Sequence, residues 1–346
     1  LKKGTKLAGT VLASIIMAGS VLTGCGSKEA AGTQGTTPGK KADGPRITLR
    51  LADTLATDHP TVAGDKKFAE LVSERTNGRI KIEVFPSSQL GEEKATIEQV
   101  QLGVVDFVRT GAGALGGFSK KFDVFSLPYI FESDAHEWKF LESEAGTNLL
   151  DSLEASKMKG LAYYSAGSRS FYSRKPVSSI ADLKGQKIRV IQNKVNVDLM
   201  SALGANATPM AFGEVFSALQ TGVIDGAENS FANLFTSNHQ QAAKYLIKDE
   251  HQRTPEVLII SKVSWDRLSD GDRKIIKQSA QDSVKTQREM FDKFEKDSED
   301  KVKAAGVTIT EVKDLKPWQD AVKPVIDKYR TEFKDLLDAV EKAKQK

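Results

Sequence analysis

The stretch from Ser269 to Ala305 constrains the chain most. Ile275, Ile276, Ala280, Val284, Phe291, Phe294 and Val302 recur at spacings of three and four with charged residues between them, the pattern of one amphipathic helix. At 1.5 Å per residue such a helix runs for about 55 Å, longer than a small lobe is wide. Its apolar face is too narrow for a helix buried all round. The stretch therefore reads as a brace lying across two lobes.

The remainder of the chain alternates between periods of two and of three to four. Arg46 to Ala52 alternates apolar and polar residues as a strand does, and Pro60 suits the first turn of a helix that carries Phe68, Leu71 and Val72 and stops at Asn77-Gly78. Ile80, Ile82 and Val84 form the next strand, so the crossover makes the two strands parallel. A helix over about 92–102, a strand over 104–108 with Arg109 at its end, a helical stretch from 133 to about 155 and an apolar strand at 160–164 follow. From about 167 to 254 a second α/β unit of similar construction appears, and Glu256 to Ser261 returns the chain to the first. Residues 316–346 read as amphipathic helices over the second unit. The expected lobes are 46–166 with 255–294, and 167–254 with 295–346, joined more than once around a cleft.

A length of 346 residues suits about two domains. The net charge is +4, of which Lys2, Lys3 and Lys6 supply three, leaving +1 with acids and bases interspersed. No basic stripe follows a nucleic-acid backbone, so nucleic acid is not an expected partner. Those three lysines precede an apolar run from Leu7 to Leu22 that ends in Leu22-Thr23-Gly24-Cys25. Residues 1–24 read as an export signal. Cys25, the sole cysteine, resembles the lipidated residue of a bacterial lipobox, with an ordinary signal and an incidental cysteine as the alternative. Residues 25–45 lack large apolar side chains and read as a flexible tether between lipid and domain.

Chemistry concentrates in the second unit. Lys187-Ile188-Arg189-Val190 is a strand whose Ile188 and Val190 share one face, leaving Arg189 on the other in apolar surroundings. A buried guanidinium needs an anion, supplied by a structural carboxylate or by a ligand that it can grip with two parallel N–H bonds. Arg169 and Asn229 also sit at strand ends, and three convergent donors favour an anion site. Enzymatic readings are weak: there is no G-x-S-x-G elbow, and His59, His136, His239 and His251 lack metal-ligand spacing. Glu92 and Glu93 begin a helix, where acids partner its dipole. Neither a cofactor nor a metal is expected. The aromatic run Phe122 to Phe131 reads as core packing.

The ordered strings Glu74-Arg75-Thr76-Asn77-Gly78, Phe85-Pro86 with Gln89-Leu90-Gly91, Gln101-Leu102-Gly103, Asp182-Leu183-Lys184-Gly185 with Lys187-Ile188-Arg189-Val190, and Leu219-Gln220-Thr221-Gly222 with Asp225-Gly226 and Glu228-Asn229 resemble the extracytoplasmic substrate-binding subunits of TRAP transporters, DctP type. The resemblance covers nearly all of the chain after the tether. It implies a two-lobed α/β periplasmic-binding-protein-like fold of type II, with a hinge, a long helix spanning both lobes, and closure on an organic acid without turnover. It implies Arg189 as the main salt bridge to a substrate carboxylate, Arg169 and Asn229 as its helpers, and Phe212 packed on the ligand. His59, Glu93 and Arg109 match loop positions of the first lobe that differ with substrate. An arginine on each lobe with His59 and Glu93 suggests one carboxylate and several hydroxyls. Asp249 to Val257 looks like the branch associated with hexuronates. The expectation is D-glucuronate or D-galacturonate, with a C4-dicarboxylate as the alternative. A lipid-anchored uronate-processing enzyme and a sensor-coupled binding protein are the other readings. Implied partners are the small and large membrane subunits of the transporter, with the protein a monomer held extracytoplasmically by its lipid.

Overall fold

The computed structural model describes residues 44–344. The signal segment 1–24, Cys25 and nearly all of the tether lie outside the described residues. Two sheets organise the rest. The first has the order β2-β1-β3-β10-β4, built from β1 (Ile47–Ala52), β2 (Ile80–Phe85), β3 (Phe107–Gly111), β4 (Met158–Tyr164) and β10 (Glu256–Ser261). The second has the order β11-β9-β5-β8-β6-β7, from β5 (Ser168–Ser173), β6 (Lys187–Val190), β7 (Asn206–Pro209), β8 (Gly226–Asn229), β9 (Tyr245–Arg253) and β11 (Thr308–Glu311). As the crossover helix Pro60–Arg75 requires, β1 and β2 are parallel. β10 returns antiparallel between β3 and β4. The result is an α/β architecture of two lobes, one around each sheet.

The chain passes between the sheets at 165–167 and again at 254–255. Gly167 is required at the first crossing: its φ of +72° is in the left-handed region, and a Cβ there would lie 3.1 Å from the Phe291 ring. A third connection is the long helix, Asp270–Ala304. Toward the first sheet its Ser283 Oγ meets the Tyr164 hydroxyl at 2.7 Å. Gln287 accepts from the Ser165 N–H at 2.8 Å and donates to the Ser165 carbonyl at 2.9 Å and Thr61 Oγ1 at 3.2 Å. Toward the second sheet Glu295 accepts the N–H groups of Phe231 (2.9 Å) and Ala232 (2.7 Å), and Val302 enters the core beneath β8 and β9. The expected brace is present, and it is held by polar grips as much as by its apolar stripe.

Three details differ from the sequence reading. β3 covers 107–111 rather than 104–108, because β10 pairs along it as far as Gly111, and Arg109 therefore sits in mid-strand. The stretch 133–155 is two helices, Asp134–Leu141 and Glu144–Asp151, divided at Ser143, whose hydroxyl caps the second by accepting the Gly146 N–H. Of the C-terminal helices, Lys316–Tyr329 packs Trp318 and Val322 on the second sheet's core. Lys334–Lys344 instead buries Leu337, Val340 and Ala343 with Phe131 and Phe140 of the first lobe, and its Val340 carbonyl meets His136 Nε2 at 2.8 Å. An amphipathic helix specifies that it needs an apolar surface, not which one. Phe122, Phe125 and Phe131 form the expected aromatic core.

The helix Pro60–Arg75 touches the long helix at Gly64, where an added Cβ would lie 2.7 Å from Gln287 Cγ. In an exposed helix Gly→Ala stabilises by about 1 kcal/mol. Overpacking here costs about 1–3 kcal/mol and displaces the Gln287 grips, so Gly64→Ala is expected to lower the urea midpoint. An unchanged or raised midpoint would show that the contact has room to spare.

Candidate functional site

Strand direction brings the site together. The carboxyl ends of β1, β3, β6 and β8 point into the junction of the two sheets, and the antiparallel strands β5 and β10 begin there. Arg169, near the start of β5, thus faces the same space as Arg189 and Asn229 at the ends of β6 and β8. A small cavity of about 40 Å³ lies at this junction. Arg109, Glu93, Arg169, Arg189, Phe212 and Asn229 all line it. A wider cavity of about 630 Å³, within the range of about 300–1,000 Å³ usual for small-molecule sites, adjoins it and shares Glu93, Arg189 and Phe212. The rims touch across it: Gly213 donates its N–H to Glu92 Oε2 at 3.3 Å, and a Cβ on Gly113 would lie 3.1 Å from Ile191 Cδ1.

The three arginines differ in how their charge is met. Arg109, fully buried, donates Nε to Asp53 Oδ2 at 2.8 Å, Nη2 to Asp53 Oδ1, and Nη1 to Glu256 Oε2 at 2.7 Å. Burial would raise the Asp53 carboxyl, but the Arg109 guanidinium outweighs it and holds Asp53 below its ordinary value. Asp65, on the helix behind, is pushed well above its ordinary value by burial and by the Asp53 charge. Burial also raises Glu256, against the pull of Arg109. Arg169 donates Nε to Glu228, Nη1 to Asn229 Oδ1 at 2.9 Å and Nη2 to the Glu228 carbonyl at 3.0 Å.

Arg189 is 3% exposed and has no carboxylate partner among the described residues. Nε and Nη2 donate to the Met210 carbonyl at 3.1 and 2.9 Å, and the guanidinium lies 5.7 Å from the centre of the Phe212 ring. Burial lowers its pKa, with Arg169 adding to the effect against the attraction of Glu228. Arg169 shifts the opposite way, because Glu228 overcomes the burial cost. The site therefore contains one satisfied arginine on each lobe and a third poised for an anion. Glu93 opens the helix Glu93–Gln101 and accepts from the Gly111 N–H at 2.8 Å and from Thr110 Oγ1 at 3.0 Å, which fixes its carboxylate on the first-lobe wall.

His59 is the sequence candidate that does not line the space. Its Nδ1 accepts the Thr61 N–H at 3.1 Å as the cap of the helix Pro60–Arg75, and its ring lies 6.1 Å from Phe291 and 6.3 Å from Phe294. A histidine just before Pro60 is positioned to cap, which is a structural use of the residue. The sequence reading missed Asp53, Glu256 and Asn233, all near or on the cavity wall. Asn233 stands four residues after Asn229, the offset of one helical turn, and that was a usable signal. No group of three or more His, Cys, Asp or Glu among the described residues is placed to hold a metal ion.

A two-lobed α/β protein with a cationic, hydrogen-bonding cavity where the lobes meet is a solute-binding protein. Residues 51–332 match the family model described as DctP, bacterial extracellular solute-binding protein, family 7, and the chain belongs to that family, the substrate-binding subunits of TRAP transporters. It is similar to a TRAP periplasmic solute-binding protein from Xanthobacter autotrophicus Py2 with bound β-D-galacturonate (40% identity, TM-score 0.82, covering 84% of this chain and 98% of that one). It is likewise similar to one from Pseudomonas putida F1 with bound D-glucuronate (37%, TM-score 0.83, 85% and 97%). A C4-dicarboxylate-binding periplasmic protein of Rhodobacter capsulatus is 37% identical over 223 residues, 64% of this chain and 67% of that one. The family consists of binding subunits rather than enzymes. No helix among the described residues is long and apolar enough to cross a membrane.

His59 also makes a pH prediction. Burial depresses its pKa from 6.5 to about 3, with Arg109 adding to this and Asp53 opposing it. The unfolded chain therefore binds a proton that the folded chain refuses between these values, and stability falls as pH drops from about 6.5 toward 3. Protonation would also convert the capping acceptor into a donor. His59→Asn keeps a cap without the titration, so its urea midpoint should fall less between pH 7 and pH 5 than that of the wild type. Parallel pH profiles would remove His59 from this role.

Proposed function

We propose that the protein captures a hexuronate, such as D-glucuronate or D-galacturonate, and presents it to the small and large membrane subunits of a TRAP transporter. The observation that carries this reading is Arg189, buried at the cavity with no carboxylate partner among the described residues while Arg109 and Arg169 have theirs. The substrate carboxylate takes that place, with Arg169 and Asn229 beside it and Phe212 against the ligand. Glu93 accepts from hydroxyls, and the carboxylates of Glu93, Asp53 and Glu256 on the first-lobe wall oppose a second ligand carboxylate. Arg109, already paired, sets the charge of that wall. The hexuronate-bound relatives support the choice.

In this reading the lobes are 46–166 with 255–294 and the last helix, 334–344, and 167–254 with 295–329, and they swing at the crossings near Gly167 and Thr254. A ligand touching both rims stabilises the closed arrangement by differential contact. Residues 1–24 direct export, and lipidated Cys25 holds a monomer at the outer face of the membrane through the tether. A C4-dicarboxylate remains the alternative ligand, on the strength of the Rhodobacter capsulatus relative.

Loss of a charge-assisted hydrogen-bond partner costs about 1.5–3 kcal/mol, or roughly 10- to 150-fold in affinity. Arg189→Ala is expected to weaken uronate binding by that factor in calorimetry, and near-wild-type affinity would exclude it from the site. In a thermal-shift panel D-glucuronate or D-galacturonate should stabilise the wild type. Stabilisation by succinate or malate and by neither uronate would transfer the assignment to the dicarboxylate class.

A further inference from the structure

Two asparagines one helical turn apart stand on the second-lobe wall, and the network around them determines which way each amide points. Asn229 Oδ1 accepts from Arg169 Nη1, from the Ser230 N–H and from Asn233 Nδ2, each at 2.9 Å. The first two partners can only donate, so that atom is the oxygen. Its acceptor capacity is filled, and the Asn229 amide keeps its N–H₂ for the cavity. Asn233 is then fixed in turn. Its Nδ2 donates to Asn229 Oδ1 and to Ser230 Oγ (3.2 Å), which leaves Oδ1 as the end without a partner. Asn233 is 4% exposed and lines the cavity. A buried amide oxygen with no donor is costly, and such groups in folded proteins are commonly met by a ligand or a water.

We infer that Asn233 is a specificity-determining residue that reads a ligand hydroxyl. Asn229 Nδ2 offers a donor and Asn233 Oδ1 an acceptor on the same wall, and a hydroxyl answers both at once because it accepts and donates. An ionised carboxylate only accepts, so it would leave Asn233 unpaired. The pair therefore selects a hydroxyl-bearing acid over a dicarboxylate of similar reach, independently of the acidic wall on the first lobe. This rests on the hexuronate reading above and deepens it.

The test is calorimetric titration of the wild type, Asn233→Ala and Asn233→Leu with D-glucuronate, D-galacturonate and tetrahydropyran-2-carboxylate, which keeps the ring and carboxylate but no hydroxyl. Both variants are expected to lose about tenfold or more in affinity for the preferred uronate and to change tetrahydropyran-2-carboxylate binding by less than about threefold. Thermal melts identify a variant that does not fold, and the other then decides. If neither folds, the wild type is titrated with monodeoxy uronates, and undiminished binding of every one of them overturns the inference. Equal losses for ligands with and without hydroxyls would make Asn233 merely structural, and unchanged uronate affinity would remove it altogether. Failure of the wild type to bind either uronate overturns the hexuronate reading, and this inference with it. Wild-type binding with unaffected variants overturns this inference alone.

Discussion

The protein is arranged around the cost of burying positive charge. Three guanidiniums lie at the junction of the sheets, and removing even one from water without compensation costs several kcal/mol. Arg109 is met by Asp53 and Glu256, and Arg169 by Glu228 and Asn229. Arg189 has only the Met210 carbonyl for two of its nitrogens. Because the first two are neutralised locally, the field in the cavity is concentrated on the third. Mutating Asp53 or Glu228 would therefore alter ligand affinity without either residue needing to touch the ligand.

Much of this was legible from local pattern. The periods of two and of three to four located β1, β2, the helix between them and the long helix, and the capped turn Ile180–Leu183 before Gly185 delivers β6 as its residues suggest. Arg189 was visible as a charge in an apolar strand. What it lacked was not visible, since the absence of a carboxylate is a statement about every element packed around it. Arg109 shows the converse: its partners lie 56 and 147 positions away, Asp53 meeting it because β1 runs parallel beside β3 and Glu256 because β10 returns antiparallel on the other side. No local spacing encodes that meeting. A histidine ahead of a proline suits a site or a helix end, and only the position of the Thr61 N–H shows that His59 caps the helix.

The same division explains the specificity chemistry. Hydrogen-bond direction in an amide is inherited from its neighbours, so Asn229 and Asn233 take their meaning from Arg169 and the Ser230 backbone. A sequence names the amides and does not orient them. Arg169 thereby determines, through two side chains, which amide atoms of Asn229 and Asn233 are left without a partner.

The polar grips on the long helix have a mechanical consequence. Gln287 holds the crossing residue Ser165, and Glu295 holds the backbone of Phe231 and Ala232, eight positions further along the same rod. On an α-helix that interval is about 12 Å, and helices curve more readily than they stretch. The helix is thus a ruler between the lobes. While both grips hold, the spacing between Ser165 on one side of the crossing and Phe231 on the other is set by the helix, and with it the register at which Arg189 stands opposite the first-lobe wall.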